Sequence, residues 1–473
     1  MTVLGRAVLA ISLGAATAAA LDYPVLKPSA AMFRNHREAF LARLPPNSIA
    51  LLRATPMKIM SNDVEYLYRQ DSDFWYLTGI EDPDAVALFR PNAPDGNRYV
   101  VFVRPREPRL ESYEGPRVGP REAAAAWGAD AAYSADELFE RMTRYDPASR
   151  SYSGFFAGVE KLYLADGGDE EWSRKVRDAL SEMRAREAGP STVVDAREVL
   201  HGMRVVKDPD EIALIRRATE ISARGHVLAM KAAAPGRYEF EIQQALDGYC
   251  YANGARRMAY PSIVASGPNS VFLHWDRNDR RIESGDVVLN DSGTEYGYYA
   301  TDITRTYPAS GRFTPEQRKI YEIVLAAQKA AMAEVRPGAP HEKLEQASAR
   351  VQTEGLVRLG LLRGDVDRIV KENRHRALTK HGISHWVGLD VHDAGRYSVG
   401  GVSRAMEPGM VFTIEPGIYV PANAPGVDRK WWNIGVRIED VVLVTATGYE
   451  CLSCSAPREI DDVEKMVQSG SVD

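Results

Sequence analysis

The sequence is short of cysteine, of surplus positive charge and of long apolar runs, and each shortage removes a class of protein. Three cysteines among 473 residues cannot build a disulfide framework, and Cys451 and Cys454 lack the second Cys or His pair that a closed zinc site requires. All three read as buried or incidental rather than redox-active. Fifty-nine basic against 65 acidic side chains give a net charge of −6, so no global basic field is available to hold nucleic acid or an anionic membrane. The apolar stretch Ala7 to Ala20 would span about 21 Å as a helix, short of the roughly 30 Å of a bilayer core, and no later segment has the length to span one. Its basic start at Arg6 and its small-residue end at Ala18, Ala19 and Ala20 follow the pattern of a cleaved signal segment. Residues 1–20 are therefore expected to direct export to a periplasmic or extracellular space; without that role the chain would stay in the cytoplasm.

What is present is enough apolar material for a large core. A content of 45% hydrophobic and 26% charged residues excludes disorder and fibre, and the length predicts two or three domains. Residues 21–195 alternate strand-like and helical runs, the pattern of an α/β domain. Val86 to Arg90 and Tyr99 to Val103 flank Pro94-Asp95-Gly96, which reads as a hairpin. Arg106 to Pro120, with three prolines and two glycines, reads as an exposed loop. Lys161 to Ala165 reads as a strand and Glu170 to Ala188 as a charged, solvent-facing helix leading out of this domain. A second domain is expected over 199–473. Asp208-Pro209-Asp210-Glu211 is a capping box ahead of the apolar positions Ile212, Ile215, Ala218 and Ile221. Thr314-Pro315-Glu316-Gln317 repeats that grammar ahead of a long amphipathic helix that closes at Pro337-Gly338. Strands are expected at Asp286 to Asn290, Tyr298 to Arg305, Gly409 to Glu415 and Val436 to Val444.

The chemistry-bearing residues all fall in this second half, as carboxylates and histidines set among apolar strand residues. Asp291 and Asp302 flank a segment in which Gly293 and Gly297 allow a turn, so two neighbouring strands could bring both carboxylates together. Carboxylates inside strands are disfavoured by propensity and by desolvation, so each needs a partner. Taken singly, Asp291 and Asp302 read equally as turn or salt-bridge residues, Glu439 beside Arg437 as an exposed charge pair, and His274, His381 and His392 as structural histidines. If Asp291, Asp302, His385, Glu415 and Glu439 converge, four carboxylates repel by several kcal/mol even at an effective dielectric near 20. Two divalent cations would neutralise them. Hard oxygen donors with one imidazole favour manganese or a similar ion over thiolate-type zinc, and a cation pair of this kind is a hydrolytic centre.

The runs His381-Gly382-Ile383-Ser384-His385-Trp386-Val387-Gly388-Leu389-Asp390-Val391-His392-Asp393 and Glu407-Pro408-Gly409-Met410-Val411-Phe412-Thr413-Ile414-Glu415-Pro416-Gly417 closely resemble the aminopeptidase P (Xaa-Pro aminopeptidase) branch of the pita-bread metallopeptidases. So do Asp291-Ser292-Gly293, Thr301-Asp302-Ile303-Thr304-Arg305-Thr306 and Arg437-Ile438-Glu439-Asp440. Tyr68 to Gly79 resembles the N-terminal domain of the same branch. The resemblance spans most of the mature chain. It implies an α/β N-terminal domain joined to an α+β catalytic domain whose curved antiparallel sheet is covered by helices. It implies two divalent metal ions, manganese foremost, with Asp291 on one, Asp302 and Glu439 bridging, and His385 and Glu415 completing the second. An activated water would attack the carbonyl before proline, and Glu415 would relay the proton to the departing nitrogen. His274 and His392 would steady the oxyanion or substrate, and His381 would contact the proline side. Arg437 would orient the carboxylates and Tyr419 would wall the pocket. Peptides with proline second are the implied substrates, and dimers or tetramers the implied assembly. Asn290, before the first aspartate, and Lys380, before His381, depart from the usual pattern without removing a ligand. Two rivals remain: a prolidase, which cleaves Xaa-Pro dipeptides only, and a catalytically silent relative that binds a peptide or protein.

Overall fold

In the strand Ser48–Arg53 every residue from Ser48 to Leu52 is buried, and its apolar residues divide between two cores. Ile49 and Leu51 join one, Ala50 and Leu52 the other, as the two-residue period of a strand requires. This strand lies inside a six-stranded mixed sheet in the computed structural model, which describes residues 26–470; the signal-like segment 1–20 lies outside the described residues. The sheet runs Thr192–Asp195, Lys161–Ala165, Ser48–Arg53, Val86–Phe89, Tyr99–Val103, Ala131–Ser134. Helix Glu170–Arg184, expected to face solvent, instead seals one face with Trp172, Val176, Leu180 and Met183, whose helical spacing gathers them on one side while the charged residues stay outside. The opposite face carries Phe89, Val101 and Val103, and its core continues without a break into Leu214, Ile215 and Tyr299 of the second domain.

The expected hairpin Val86–Phe89 to Tyr99–Val103 is present, and Lys161–Ala165 is a strand. The stretch read as an exposed loop instead holds helix Pro108–Glu114 and the start of helix Gly119–Trp127. Pro108 and Pro120 stand in the first turn of each, where a missing N–H costs nothing and the fixed φ favours a helix.

The second domain begins with helix Pro209–Ala232, closed by the reciprocal Asp208 and Glu211 bonds at 2.9 Å. Helix Glu239–Ala252 follows, then antiparallel strands, then helices Pro315–Ala333 and Glu342–Arg358 and further antiparallel strands. The order of helix pair followed by strands thus occurs twice. Strands Ile263–Ser266, Val287–Asp291 and Thr304–Pro308 form one sheet, Val411–Ile414, Asp440–Val444 and Tyr449–Cys451 another, and Gly417–Val420 pairs with Ile434–Arg437. Two expected long strands are interrupted. Tyr298 to Arg305 is broken at Thr301, Asp302 and Ile303, and Val436 to Val444 at Ile438 and Glu439. Each break falls on a carboxylate of the expected ligand set.

The cysteines also depart from expectation. Cys451 and Cys454, with Cα atoms 5.6 Å apart, form a disulfide, because the end of the last strand and the turn after it bring them face to face. Only Cys250 is the buried free thiol that was expected. No described helix is long and apolar enough to cross a membrane.

Candidate active site

The site forms where the two sets of strands meet. Strand Val287–Asp291 pairs with Thr304–Pro308, placing Asp291 opposite Thr304. The chain between them doubles back through a two-residue turn at Gly297 and Tyr298, both at positive φ (56° and 71°), the conformation that suits a tight hairpin. A Cβ on Gly293 would sit 1.9 Å from the Thr301 carbonyl oxygen, so only glycine lets the two aspartate-bearing segments lie side by side. Asp291 and Asp302 are both buried and share one neighbour: the Tyr260 hydroxyl lies 2.6 Å from Asp291 Oδ1 and 2.5 Å from Asp302 Oδ1.

The second set supplies the rest. Glu439 enters from the break after Ile434–Arg437, with its N–H donating to the Thr304 carbonyl at 3.1 Å. Thr304 Oγ1 donates to Glu439 Oε2 at 2.6 Å, and Arg437 Nε donates to Thr304 Oγ1 at 3.0 Å. Glu439 is 1% exposed, yet its Oε1 has no hydrogen-bond partner. Glu415 sits between strands Val411–Ile414 and Gly417–Val420. His385 Nδ1 faces the Trp386 carbonyl at 3.1 Å. A carbonyl only accepts, so Nδ1 carries the proton and Nε2 presents a lone pair. That Nε2 lies 3.4 Å from Asp302 Oδ2, 3.4 Å from Glu415 Oε1 and 3.9 Å from Glu439 Oε1.

All five expected ligands therefore converge. Their donor atoms form two triads within 4.8 Å, Asp291 with Asp302 and Glu439, and His385 with Glu415 and Glu439. Burial, then the charge of Asp291, push the Asp302 carboxyl well above its ordinary range, and burial with Asp302 does the same to Glu439. Burial and Glu439 push Glu415 up to about 8. Although burial opposes it, Asp291 is held below its usual value by Arg437, which donates to its Oδ2. One guanidinium against four carboxylates leaves the cluster with excess negative charge, and an orphaned buried oxygen points into it. Hard donors with uncompensated charge fit divalent cations.

A cleft of about 320 Å³ opens over these groups, lined also by Leu273, His274, His381, Ser384 and His392. His274 and His392 are exposed at its mouth. The His392 ring centroid lies 4.0 Å from that of His385, and burial together with the neighbouring rings of His385 and His274 pushes His392 down to about 4. His381 is engaged at both nitrogens, Nδ1 with the Gly382 carbonyl and Nε2 with the Tyr419 hydroxyl, each at 2.7 Å. Arg437 Nη1 donates to that hydroxyl at 2.9 Å, so Tyr419 passes its own proton to His381 Nε2. His381 lines the cleft, whereas Tyr419, expected to wall the pocket, is fully buried behind it and braces its ring together with the same arginine that binds Asp291. Asn290 accepts from Ser292 Oγ at 2.8 Å and donates to the Tyr307 hydroxyl at 3.3 Å, bonds that involve none of the five ligands. Lys380 Nζ donates to the Val271 carbonyl at 2.6 Å. Sequence reasoning missed Tyr260 and gave Thr304 no role of its own; Tyr260 stands outside every motif, and only the fold brings it between the two aspartates.

Comparison with known proteins agrees with this arrangement. Residues 213–446 match metallopeptidase family M24, and residues 33–151 match the aminopeptidase P N-terminal domain. The chain is 38% identical to the Xaa-Pro aminopeptidase of Escherichia coli over 92% of its own length and 97% of that protein. It superposes on the aminopeptidase of Pseudomonas aeruginosa with a TM-score of 0.89 and 40% identity, covering 94% of this chain and 99% of the other. A zinc-substituted E. coli aminopeptidase P in complex with product superposes with a TM-score of 0.88 and 38% identity, covering 94% and 100%. With both domains matched in order and every expected ligand gathered at one cleft, the chain belongs to metallopeptidase family M24, in its aminopeptidase P branch.

Proposed function

We propose that this enzyme, exported from the cytoplasm, releases the first residue of peptides with proline second, and that its cofactor is a pair of divalent cations, manganese foremost. The observation that carries the reading is the pair of donor triads sharing Glu439, whose buried Oε1 has no other partner. Asp291, Asp302 and Glu439 would hold one ion; His385 and Glu415, with the shared Asp302 and Glu439, the other. Cations bound there would offset the four carboxylates and supply Lewis acidity with a water made acidic enough to react near neutral pH.

The protein's own groups do the remaining work. The nitrogen that leaves belongs to a tertiary amide and must gain a proton before it departs; Glu415, a ligand-set residue that also lines the cleft, takes and returns that proton. His392, neutral at working pH, and His274 offer N–H groups to the oxygen that gains charge. His381 walls the proline side, its ring held by the buried Tyr419 hydroxyl. The similarity across both domains to Xaa-Pro aminopeptidases favours this reading over prolidase, and the complete ligand set argues against a silent relative. The disulfide supports export, since such bonds persist in oxidising compartments. Ile59, Met60, Val64, Tyr66 and Leu67, all exposed on one short hairpin and the residues after it, support self-association into a dimer or tetramer.

A peptide panel on chelated protein, with manganese, cobalt or zinc added back, tests the proposal. Arg-Pro-Pro should lose its arginine in a metal-dependent way. Cleavage confined to dipeptides would identify a prolidase, and turnover unaffected by chelation would sink the metal reading.

A further inference from the structure

The segment Tyr68 to Gly79, the N-terminal part of the family likeness, places no side chain in the cleft. Its polar residues reach instead onto the loop 388–393, which carries His392. Arg69 Nη2 donates to the Leu389 carbonyl at 2.5 Å while its Nε donates to Glu295 at 2.7 Å. Ser72 Oγ donates to Asp390 Oδ1 at 2.7 Å. Asp73 accepts from Arg204 Nη1 at 2.8 Å. Arg204 is the last residue of helix Arg197–Arg204, which joins the domains, and only 3% exposed. Its Nη2 reaches Asp390 Oδ2 at 2.6 Å and also donates to Asp393 Oδ1. Lys207 Nζ fills Asp393 Oδ2 at 3.0 Å. The Asp393 N–H closes the loop on the Trp386 carbonyl at 2.9 Å, and a Cβ at Gly388 would meet Asp393 Oδ2 at 2.2 Å, so the loop has no slack. His392, the residue before Asp393, makes no hydrogen bond of its own among the described residues. Its place against His385 is set by the backbone that Asp393 anchors.

We infer that Arg204 is a positioning residue that fixes His392 through Asp393, so that Arg69, Ser72 and Asp73 of the N-terminal domain shape the catalytic cleft. The inference rests on the reading of His392 as a group that touches substrate. Residues that orient a functional group through a hydrogen bond commonly contribute about 10–100-fold to activity, and residues acting as one unit give non-additive losses. The test is a double-mutant cycle of Arg204→Met and His392→Ala on metal-loaded enzyme, with a Xaa-Pro tripeptide as substrate. Each single change should lower kcat/KM about 10–100-fold, and the double variant should be no worse than His392→Ala. Hydrogen exchange over 386–393 should rise in Arg204→Met while that over 291–302, and the metal content, stay at the parent level. Losses that multiply, or exchange that rises equally over 291–302, would overturn the proposal while leaving the role of His392 intact. A His392→Ala enzyme with parental activity would instead overturn the reading beneath it. Should Arg204→Met fail to fold, Ser72→Ala replaces it in the same cycle, with a smaller loss and the same two outcomes.

Discussion

Glu439 and Asp440 are consecutive, both buried, and electrostatic opposites. Asp440 is fully enclosed with Arg305, which is likewise 0% exposed. Arg305 Nη2 and Ser453 Oγ donate to its Oδ1 at 2.7 and 2.6 Å, and Arg458 Nη1 and Gln328 Nε2 to its Oδ2 at 2.6 and 3.0 Å. Although burial opposes it, its carboxyl is held below the ordinary range by those guanidiniums. Glu439 faces the other way, into a pocket of carboxylates, with its pKa driven well up and one oxygen unpartnered. Burial of a charge therefore does not by itself mark function: a structural carboxylate is fully satisfied by the protein, whereas a ligand carboxylate is left for something else to satisfy.

Three measurements can break or sharpen that contrast. The largest effect is expected from Glu415→Ala on the ligand side, a loss of about a thousandfold or more in kcat, because one change removes both a ligand and the proton relay. Stability of the metal-free protein should not fall, since the change relieves repulsion; near-parental turnover would refute the role of Glu415. On the structural side, Asp440→Ala strands Arg305 in the interior and should cost about 3–5 kcal/mol of unfolding free energy, read by denaturant titration. A loss below 1 kcal/mol would show that the two carboxylates are not the contrast drawn here. The smallest effect is a pH slope in the metal-free protein. Glu415 has a folded pKa of about 8 against an ordinary 4.5, so between those values the folded chain holds more protons than the unfolded one. Stability is then full below about 4.5 and falls as pH rises toward 8, by at most about 1.4 kcal/mol per unit for this group. Asp440 works with the opposite sign, its contribution present above 3.8 and lost as acid takes pH through its lowered value. Saturating manganese should flatten the upper slope, and a metal-free protein equally stable at pH 5 and pH 8 would contradict the pKa assigned to Glu415.

Local grammar was readable where a local cause sets the structure. The caps at Asp208 and Thr314 predicted their helices because each cap is a contact three residues long. The convergence of the five expected ligands was readable because carboxylates inside apolar strands demand a reason, and the family likeness supplied one. What escaped was set by context. Pro108 and Pro120 read as loop residues because a proline that stops one element also starts another. The breaks at Asp302 and Glu439 were invisible because strand propensity averages over neighbours, whereas turning a carboxylate into the cluster takes its own residue out of the ladder. Tyr260 and Arg204 act over separations of 31 and 189 residues, to Asp291 and Asp393, which no local pattern encodes.

The sheet of the N-terminal domain carries helix Glu170–Arg184 on one face and helices Ala30–Leu41 and Gly119–Trp127 on the other, with Phe40 packed edge-on against Phe89. That second core does not stop at the domain boundary: it runs on into the peptidase half, with Trp75 of helix Ser72–Thr78 stacked on Tyr298 at 4.5 Å between ring centroids. Neither half is thus a finished object that could be cut out and reused: a fragment starting near residue 199 would emerge with a bare oily wall, and so would its complement. Recombination that exchanged this module between relatives would have to carry both walls along, which ties the inheritance of the cleft to that of a domain none of whose described residues lines it.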